Sequence, residues 1–194
     1  MLTGSARIRR RIRLVQMRTP HMTPASPSWR PPTTPSHLLS FLLGSWAVTK
    51  TMQYTRGGKD GTFLGHATVA SLDSSTVTFE EQGIAQLSPL GEEYEARQRL
   101  LYVASSSDTC VHVLFDESKD RGTVSAIVAG GRAFHTIDLS DAAPQFEHPC
   151  GPDLYRGRLA LDGEDNFRLL WGVSGPRKLG SVISTFRRTS SSKC

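Results

Sequence analysis

The sequence predicts an all-β protein: an antiparallel up-and-down barrel of about 8–10 strands with one short N-terminal helix. From Trp46 onward, apolar residues recur at every second position in short runs, which is typical of strands that bury one face. Short turns rich in Gly, Asp and Ser separate these runs, so consecutive strands should form hairpins. Because a sheet of about ten strands removes its exposed edges best by closing, a barrel is favoured over an open sheet.

A basic, proline-rich segment, residues 1–37, precedes the predicted barrel. It carries seven arginines and no acidic residue, whereas the rest of the chain has 16 basic and 18 acidic side chains. The sequence pI near 9.4 therefore arises from this segment, and nucleic acid is not indicated as a partner of the domain.

The same segment has the composition of a mitochondrial targeting sequence. Ile8, Ile12 and Val15 recur at helical spacing among the arginines, and no acidic residue interrupts them. The alternatives are a disordered basic arm, or a translation start at Met17 or Met22, in which case a cytoplasmic location is expected.

Neither a membrane span nor a disulfide framework is predicted. No stretch approaches the ~20 apolar residues that a membrane helix needs. The three cysteines, Cys110, Cys150 and Cys194, are sparse and odd in number, which is typical of a reducing compartment.

The domain is predicted to span residues 38–189, followed by a disordered tail at 190–194. Its helix should begin at an N-cap on Ser36, cover residues 37–43 and end at Gly44. A looser connection is expected at Asp141–Gly151, and Gly130-Gly131 is predicted as a hairpin turn. The predicted strands are Trp46–Tyr54, Phe63–Val69, Val77–Phe79, Tyr94–Val103, Val111–Phe115, Val124–Ala129, Arg132–Leu139, Tyr155–Leu161, Phe167–Val173 and Val182–Arg188.

Several polar residues share the alternation of the apolar set and should point into the barrel. They are in phase with apolar neighbours on separate strands, as His135 is with Ala133 and Ile137. Since buried charges cost several kcal/mol unless paired or solvated, the interior is predicted to hold either a wet ligand pocket or internal salt bridges. The residues in phase are Lys50, Glu81, His135, Asp153 and Tyr155, with Trp171 on the same face.

Three local clusters add candidate binding residues. Gly131–His135 should place Arg132 at a hairpin mouth and His135 inside. The run from His148 to Tyr155 brings His, Cys, Asp and Tyr together where a loop enters a strand, and the loop with Arg177 and Lys178 could hold an anionic group at the rim.

The Gly44-x-Trp46 pair entering the first strand, with Arg187 and Arg188 on the last, resembles the pattern of the calycins, which include lipocalins and fatty-acid-binding barrels. The resemblance implies that one of these arginines lies across the indole of Trp46 and closes one end of the barrel, a cation–π contact worth about 1–2 kcal/mol when desolvated.

Further runs resemble a domain-of-unknown-function family of calycin-like barrels, over roughly residues 38–189. These are Phe63-x-Gly65-x-Ala67, Trp171, the Gly-Arg-x-Phe-His run at 131–135 and the His-x-Cys-x-x-Asp-x-Tyr run at 148–155. The resemblance implies a fold, not a mechanism. In that family the strand matching Val111–Asp116 runs almost directly into the Gly-Arg motif, whereas here Glu117–Gly130 intervenes, which leaves the strand pairing open.

The favoured function is binding of a small polar-headed or anionic ligand in the barrel cavity. Arg132, Lys178 or Lys50 would meet the charge, and Trp171 and Tyr155 the apolar body. No cofactor, catalytic residue or metal ligand is assigned, and the oligomeric state is open. The predicted ligand-binding residues are Lys50, Glu81, Arg132, His135, His148, Asp153, Tyr155, Trp171, Arg177 and Lys178.

Other functions remain open. A small enzyme could use His135, His148, Asp153 and Tyr155 as acid–base groups, although no nucleophile elbow or metalloprotease motif indicates a named reaction. A metal site at His135, His148, Cys150 and Asp153, or haem on His135, is a weaker alternative because the spacing is irregular. The protein could also be a non-catalytic component of an organellar complex.

Overall fold

A computed structural model describes residues 29–89, 91–117 and 128–189. The basic residues 1–28 and the C-terminal residues 190–194 lie outside this range, so the targeting sequence and the disordered tail stay predictions. The described elements are α1 (Pro35–Leu42), β1 (Gly44–Arg56), β2 (Gly61–Ser71), β3 (Thr76–Leu87), β4 (Glu92–Ala104), β5 (Cys110–Phe115), β6 (Arg132–Asp138), β7 (Gln145–Cys150), β8 (Asp153–Gly163), β9 (Asn166–Ser174) and β10 (Leu179–Arg188).

The described strands form one antiparallel sheet in the order β6-β5-β4-β3-β2-β1-β10-β9-β8-β7. Every neighbour along the chain pairs except β6 and β7, while β1 and β10 pair with each other. The two end strands, β6 and β7, contact each other without a ladder, so the barrel is nearly closed. We call this junction the seam. The predicted all-β barrel is confirmed.

Helix α1 covers one end of the barrel. It buries Leu38, Leu39, Phe41 and Leu42 against the core. The predicted N-cap on Ser36 is wrong: Thr34 is the cap, and its Oγ1 accepts from the backbone N of His37 at 3.3 Å. A helix that starts at Pro35 loses nothing, because the first helical residues have no intrahelical partner for their N–H groups. Within the described residues, no helix has the length and hydropathy to cross a membrane.

Between residues 117 and 151, the predicted secondary structure is wrong in two segments. Of the expected strand Val124–Ala129, residues 128–129 are helical, together with Gly130, and residues 124–127 lie outside the described range. The stretch expected to be loose contains β7, whose alternation buries Phe146. Pro149 obscures this pattern in the sequence, but proline is tolerated in a strand at the end of a sheet.

The intervening segment does not alter the strand order. β5 pairs directly with β6, with Val111 opposite Ile137 and Val113 opposite His135. The pairing that the sequence leaves open is therefore that of two neighbouring strands in a meander.

The core fills the barrel near α1. The rings of Phe167 and Phe186 stack with centroids 4.3 Å apart, and Trp46 meets Phe167 edge-on at 4.9 Å. Trp46 and Val48 are fully buried on β1. A cavity lies in the other half of the barrel.

Candidate functional site

The end of the barrel beside α1 is sealed by Arg188 and Trp46. The Arg188 guanidinium lies 4.1 Å from the indole centroid and donates to the carbonyls of Leu43 and Phe41, both at 2.7 Å. The indole Nε1 donates to the carbonyl of Leu42 at 2.8 Å. Of the two candidate arginines, Arg188 occupies this position and Arg187 is exposed.

A cavity of about 290 Å³ lies inside the other half of the barrel. Side chains from nine of the ten described strands, all but β2, converge on it because alternate residues of a barrel strand face inward. Its walls are formed by Lys50, Phe79, Glu81, Gln98, Leu100, Tyr102, Phe115, Phe134, His135, His148, Cys150, Tyr155, Leu169, Trp171, Val182, Ser184 and Phe186.

Lys50 and Glu81 form an ion pair in the cavity wall. Lys50 Nζ donates to Glu81 Oε1, and the Glu81 side chain is 5% exposed. The ammonium also lies 5.0 Å from the centroid of Phe63. Two of the inward charges that parity predicts, Lys50 and Glu81, are thus partners of each other, and both also border the cavity.

His135 is buried in the cavity wall without a hydrogen bond. Its ring stacks on Phe146 with centroids 4.1 Å apart and an interplanar angle of 18°, and it meets Trp171 edge-on at 5.3 Å. Neither Nδ1 nor Nε2 has a hydrogen-bond partner. Burial, and to a smaller extent the nearby His148, lower the pKa of His135 to about 3. The imidazole is therefore neutral near pH 7 and has one donor and one acceptor unused.

A β-bulge aims Phe134 and His135 into the barrel together. The register shifts between Val113, opposite His135, and Leu114, opposite Ala133, so Phe134 is the extra residue. The expectation that Ala133 faces inward with His135 is wrong, because the bulge reverses the alternation and leaves Ala133 exposed.

His148 bridges the seam beside the bulge. Its Nδ1 lies 2.9 Å from the carbonyl oxygen of Phe134. Because a carbonyl only accepts, Nδ1 carries the proton of this bond. A side chain thus joins β7 to β6 where no ladder does.

Aromatic rings form the wall between these polar groups. Phe134 and Trp171 lie nearly parallel, with centroids 5.5 Å apart and an angle of 23°, and Phe115 packs 4.5 Å from Phe134. Gly157 permits this packing, because a Cβ there would lie 2.0 Å from Cε2 of Phe146 and 2.8 Å from Cζ3 of Trp171.

Four of the predicted binding residues lie outside the cavity wall. Buried Asp153 holds the β9–β10 loop, since its Oδ1 accepts from the backbone N of Arg177 at 2.9 Å and of Lys178 at 3.1 Å. Arg177 is exposed. Lys178 Nζ donates to the hydroxyl of Tyr155 at 3.3 Å, and this bond raises the pKa of Lys178.

Arg132, the fourth, lies at the start of β6 and lines an outer cavity rather than a hairpin mouth, since residues 128–130 are helical. Its guanidinium is 4.3 Å from the centroid of Phe115 and bonds Glu117 at 2.7 Å. An outer cavity of about 540 Å³ reaches Arg132 and shares Lys50, Glu81, Gln98 and Phe115 with the inner one.

Six residues that the sequence predicts as binding residues do line the cavity: Lys50, Glu81, His135, His148, Tyr155 and Trp171. The other lining residues are not predicted as binding residues from the sequence. On β4, adjacent Leu100 and Leu101 make the inward face ambiguous, although Gln98, Leu100 and Tyr102 do alternate. Burial, together with the charge of Glu81, raises the pKa of Tyr102. Among the described residues, no three His, Cys, Asp or Glu side chains are grouped to hold a metal ion.

Several solved structures are similar to this chain. The S-type phycobiliprotein lyase CPES from Guillardia theta is 10% identical with a TM-score of 0.54, over 79% of this chain and 92% of that one. EF1p2_mFAP2b, solved bound to DFHBI, is 13% identical with a TM-score of 0.41, over 80% of this chain and 100% of that one. A protein of unknown function from the DUF3598 family of Nostoc punctiforme is 12% identical with a TM-score of 0.48, over 78% of this chain and 49% of that one.

No curated protein matches the sequence. A family model does, and it covers residues 42–188, which include the Trp46–Arg188 seal, the bulge at Phe134 and every cavity-lining residue. The chain belongs to this family, a family of unknown function designated DUF6314.

Proposed function

We propose that the protein binds a small ligand with an apolar body and a polar head group inside the barrel cavity. The fold is compatible with ligand binding, since barrels of this size can enclose one small molecule. The volume of about 290 Å³ is near the lower end of the ~300–1,000 Å³ of small-molecule sites.

The observation that carries this proposal is the unpartnered imidazole of His135. A buried polar group left without a hydrogen bond costs about 1–3 kcal/mol. A phenyl ring at this position would pack on Phe146 equally well without this cost. Folding alone therefore does not explain why the residue is a histidine. A ligand whose polar group hydrogen-bonds Nδ1 or Nε2 explains the histidine, because that bond offsets the cost.

The acid–base alternative lacks such support. Asp153, one of its four residues, has its carboxylate engaged by the amides of Arg177 and Lys178 and does not line the cavity. The arrangement of the remaining three favours no reaction over binding.

The test is a fluorescence titration with N-phenyl-1-naphthylamine, an uncharged probe that brightens in apolar sites. We expect saturable binding to the wild type and at least about tenfold weaker binding to His135→Phe, because the aniline N–H loses its acceptor. Leu169→Trp should abolish binding, since the larger ring would fill the cavity that Leu169 lines.

The matched control is Leu64→Trp, which adds the same ring to the outer face, where Leu64 is 70% exposed. It should bind the probe as the wild type does. Absence of saturable binding, or binding that survives Leu169→Trp, would contradict the proposal.

A further inference from the structure

The polar groups of the cavity lie on two opposite walls. We call Lys50, Glu81, Gln98 and Ser184 the ion-pair wall; they stand on β1, β3, β4 and β10, around β2. His135, His148 and Tyr155 form the histidine wall on β6, β7 and β8, around the seam. In the sheet order the seam joins the two end strands, so in the closed ring it lies opposite β1 and β2.

Both walls have unused hydrogen-bonding capacity. In the part of the chain that the structure describes, the bond from Lys50 to Glu81 is the only side-chain hydrogen bond among the four ion-pair-wall residues. An ammonium offers three donors and a carboxylate about four acceptor positions, so most of that capacity is open. On the histidine wall, both ring nitrogens of His135 are buried and have no hydrogen-bond partner.

The surfaces between the walls are apolar and aromatic. Phe134 and Trp171 present nearly parallel rings on one side, and Phe79 and Phe186 pack edge-to-face at 5.8 Å deeper in the barrel. Flat rings stack favourably on such surfaces, with centroids about 4.5–7 Å apart.

Lys50 and Glu81, the lysine and the acidic residue of the lining, form an ion pair. Lys50 and Glu81 neutralise each other, and the imidazole of His135 is kept neutral by burial, which lowers its pKa. Lys178 lies outside the wall on the hydroxyl of Tyr155, and Arg132 is paired with Glu117 in the outer cavity. A ligand anion inside would therefore be buried without a free countercharge, which is costly.

We infer that the ligand is an uncharged, flat aromatic or heteroaromatic molecule with hydrogen-bonding groups at its two ends, one for the ion-pair wall and one for His135. This inference rests on the proposed function and narrows it, since it excludes the anionic ligand that the sequence leaves open.

Matched naphthalenes test the inference by competition with N-phenyl-1-naphthylamine. In 2,6-dihydroxynaphthalene the hydroxyls stand at opposite ends, in 2,3-dihydroxynaphthalene at the same end, and 2-naphthol has only one. We expect the 2,6-isomer to bind about tenfold tighter than either, because only it reaches both walls. The anion 6-hydroxy-2-naphthoate should bind at least about tenfold weaker than the 2,6-isomer.

Variants then remove one wall at a time. His135→Phe, and separately Lys50→Met combined with Glu81→Leu, should each lower the affinity of the 2,6-isomer to that of 2-naphthol. The double variant removes both charges together, so neither is left unpaired. If it does not fold, Gln98→Leu serves the same wall with a smaller expected loss.

The outcomes separate the two proposals. If the naphthylamine probe binds in a His135-dependent manner but the two diols bind equally, or the carboxylate binds tightest, the inference on ligand class is overturned and the proposed function stands. If no probe binds to the cavity, the proposed function itself fails.

Discussion

The two ends of the barrel differ in the hydrogen bonding of their buried polar groups. At the sealed end, the indole N–H of Trp46 bonds the carbonyl of Leu42, and Arg188 bonds the carbonyls of Phe41 and Leu43. At the cavity end, His135 is 7% exposed and both of its ring nitrogens are without partners.

This difference separates folding from binding. The polar side chains at the sealed end are hydrogen-bonded, so substitutions there should lower stability without changing the cavity. His135 at the cavity end has no hydrogen-bond partner, and its substitution should change binding while folding is kept or improved.

The largest effect is expected for Trp46→Ala. The indole is fully buried among Phe41 and Phe167, so its removal should lower the free energy of unfolding by about 3–5 kcal/mol. Trp171→Ala, in the half-exposed cavity wall, should cost about 2 kcal/mol or less, because water can enter the enlarged space. Urea unfolding measures both, and equal losses would contradict the separation of the two ends.

A smaller effect is expected for Arg188→Met. The substitution leaves the carbonyls of Phe41 and Leu43 without their donor and removes the cation–π contact, at a cost of about 2–3 kcal/mol. Binding of N-phenyl-1-naphthylamine should not change, since the cavity lies beyond the core.

The neighbouring Arg187→Met is the matched control for Arg188→Met. Its side chain is exposed, so the change in unfolding free energy should stay within about 0.5 kcal/mol. Equal effects of the two substitutions in thermal or urea unfolding would show that Arg188 does not seal the barrel.

The sequence is sufficient to predict the barrel because its strands obey local rules. On β1, Trp46, Val48 and Lys50 alternate inward through an uninterrupted ladder, and short turns leave few choices of neighbour. The strand β7 was missed because Pro149 hides its alternation, although proline is acceptable beside the seam.

The site was less predictable, because its geometry depends on contacts between distant segments. The bulge that turns Phe134 inward is a property of the register with β5 and is invisible in either strand alone. Asp153 has the parity of a cavity residue and is buried, yet its partners are loop amides 24 and 25 residues away. Parity predicts which side a residue faces, but not what it meets there.

The smallest stability change, and the most diagnostic one, is expected for His135→Phe. Near pH 7 the variant should be as stable as the wild type or more stable by about 1–2 kcal/mol, because an unpartnered polar ring is replaced by an apolar one. Lower stability would mean that His135 has a structural role.

The same variant should also change the pH dependence of stability. The pKa of His135 is about 3 in the folded protein and about 6.5 as an ordinary histidine. As the pH falls below 6.5, the unfolded chain therefore takes up a proton at this residue that the folded protein does not, and stability falls. Between pH 7 and pH 5 this loss amounts to about 1–2 kcal/mol, and His135→Phe should not suffer it.

Urea unfolding at several pH values compares His135→Phe with His66→Phe, whose ring lies on the exposed outer face. The advantage of His135→Phe over the wild type should grow as the pH falls, whereas the His66→Phe difference should stay constant. His148, which also contributes to lowering the pKa of His135, is retained in both variants. If the difference in unfolding free energy between His135→Phe and the wild type does not change with pH, the imidazole of His135 is already solvated or hydrogen-bonded in the folded protein. The polar groups of the cavity end would then be satisfied, as those of the sealed end are.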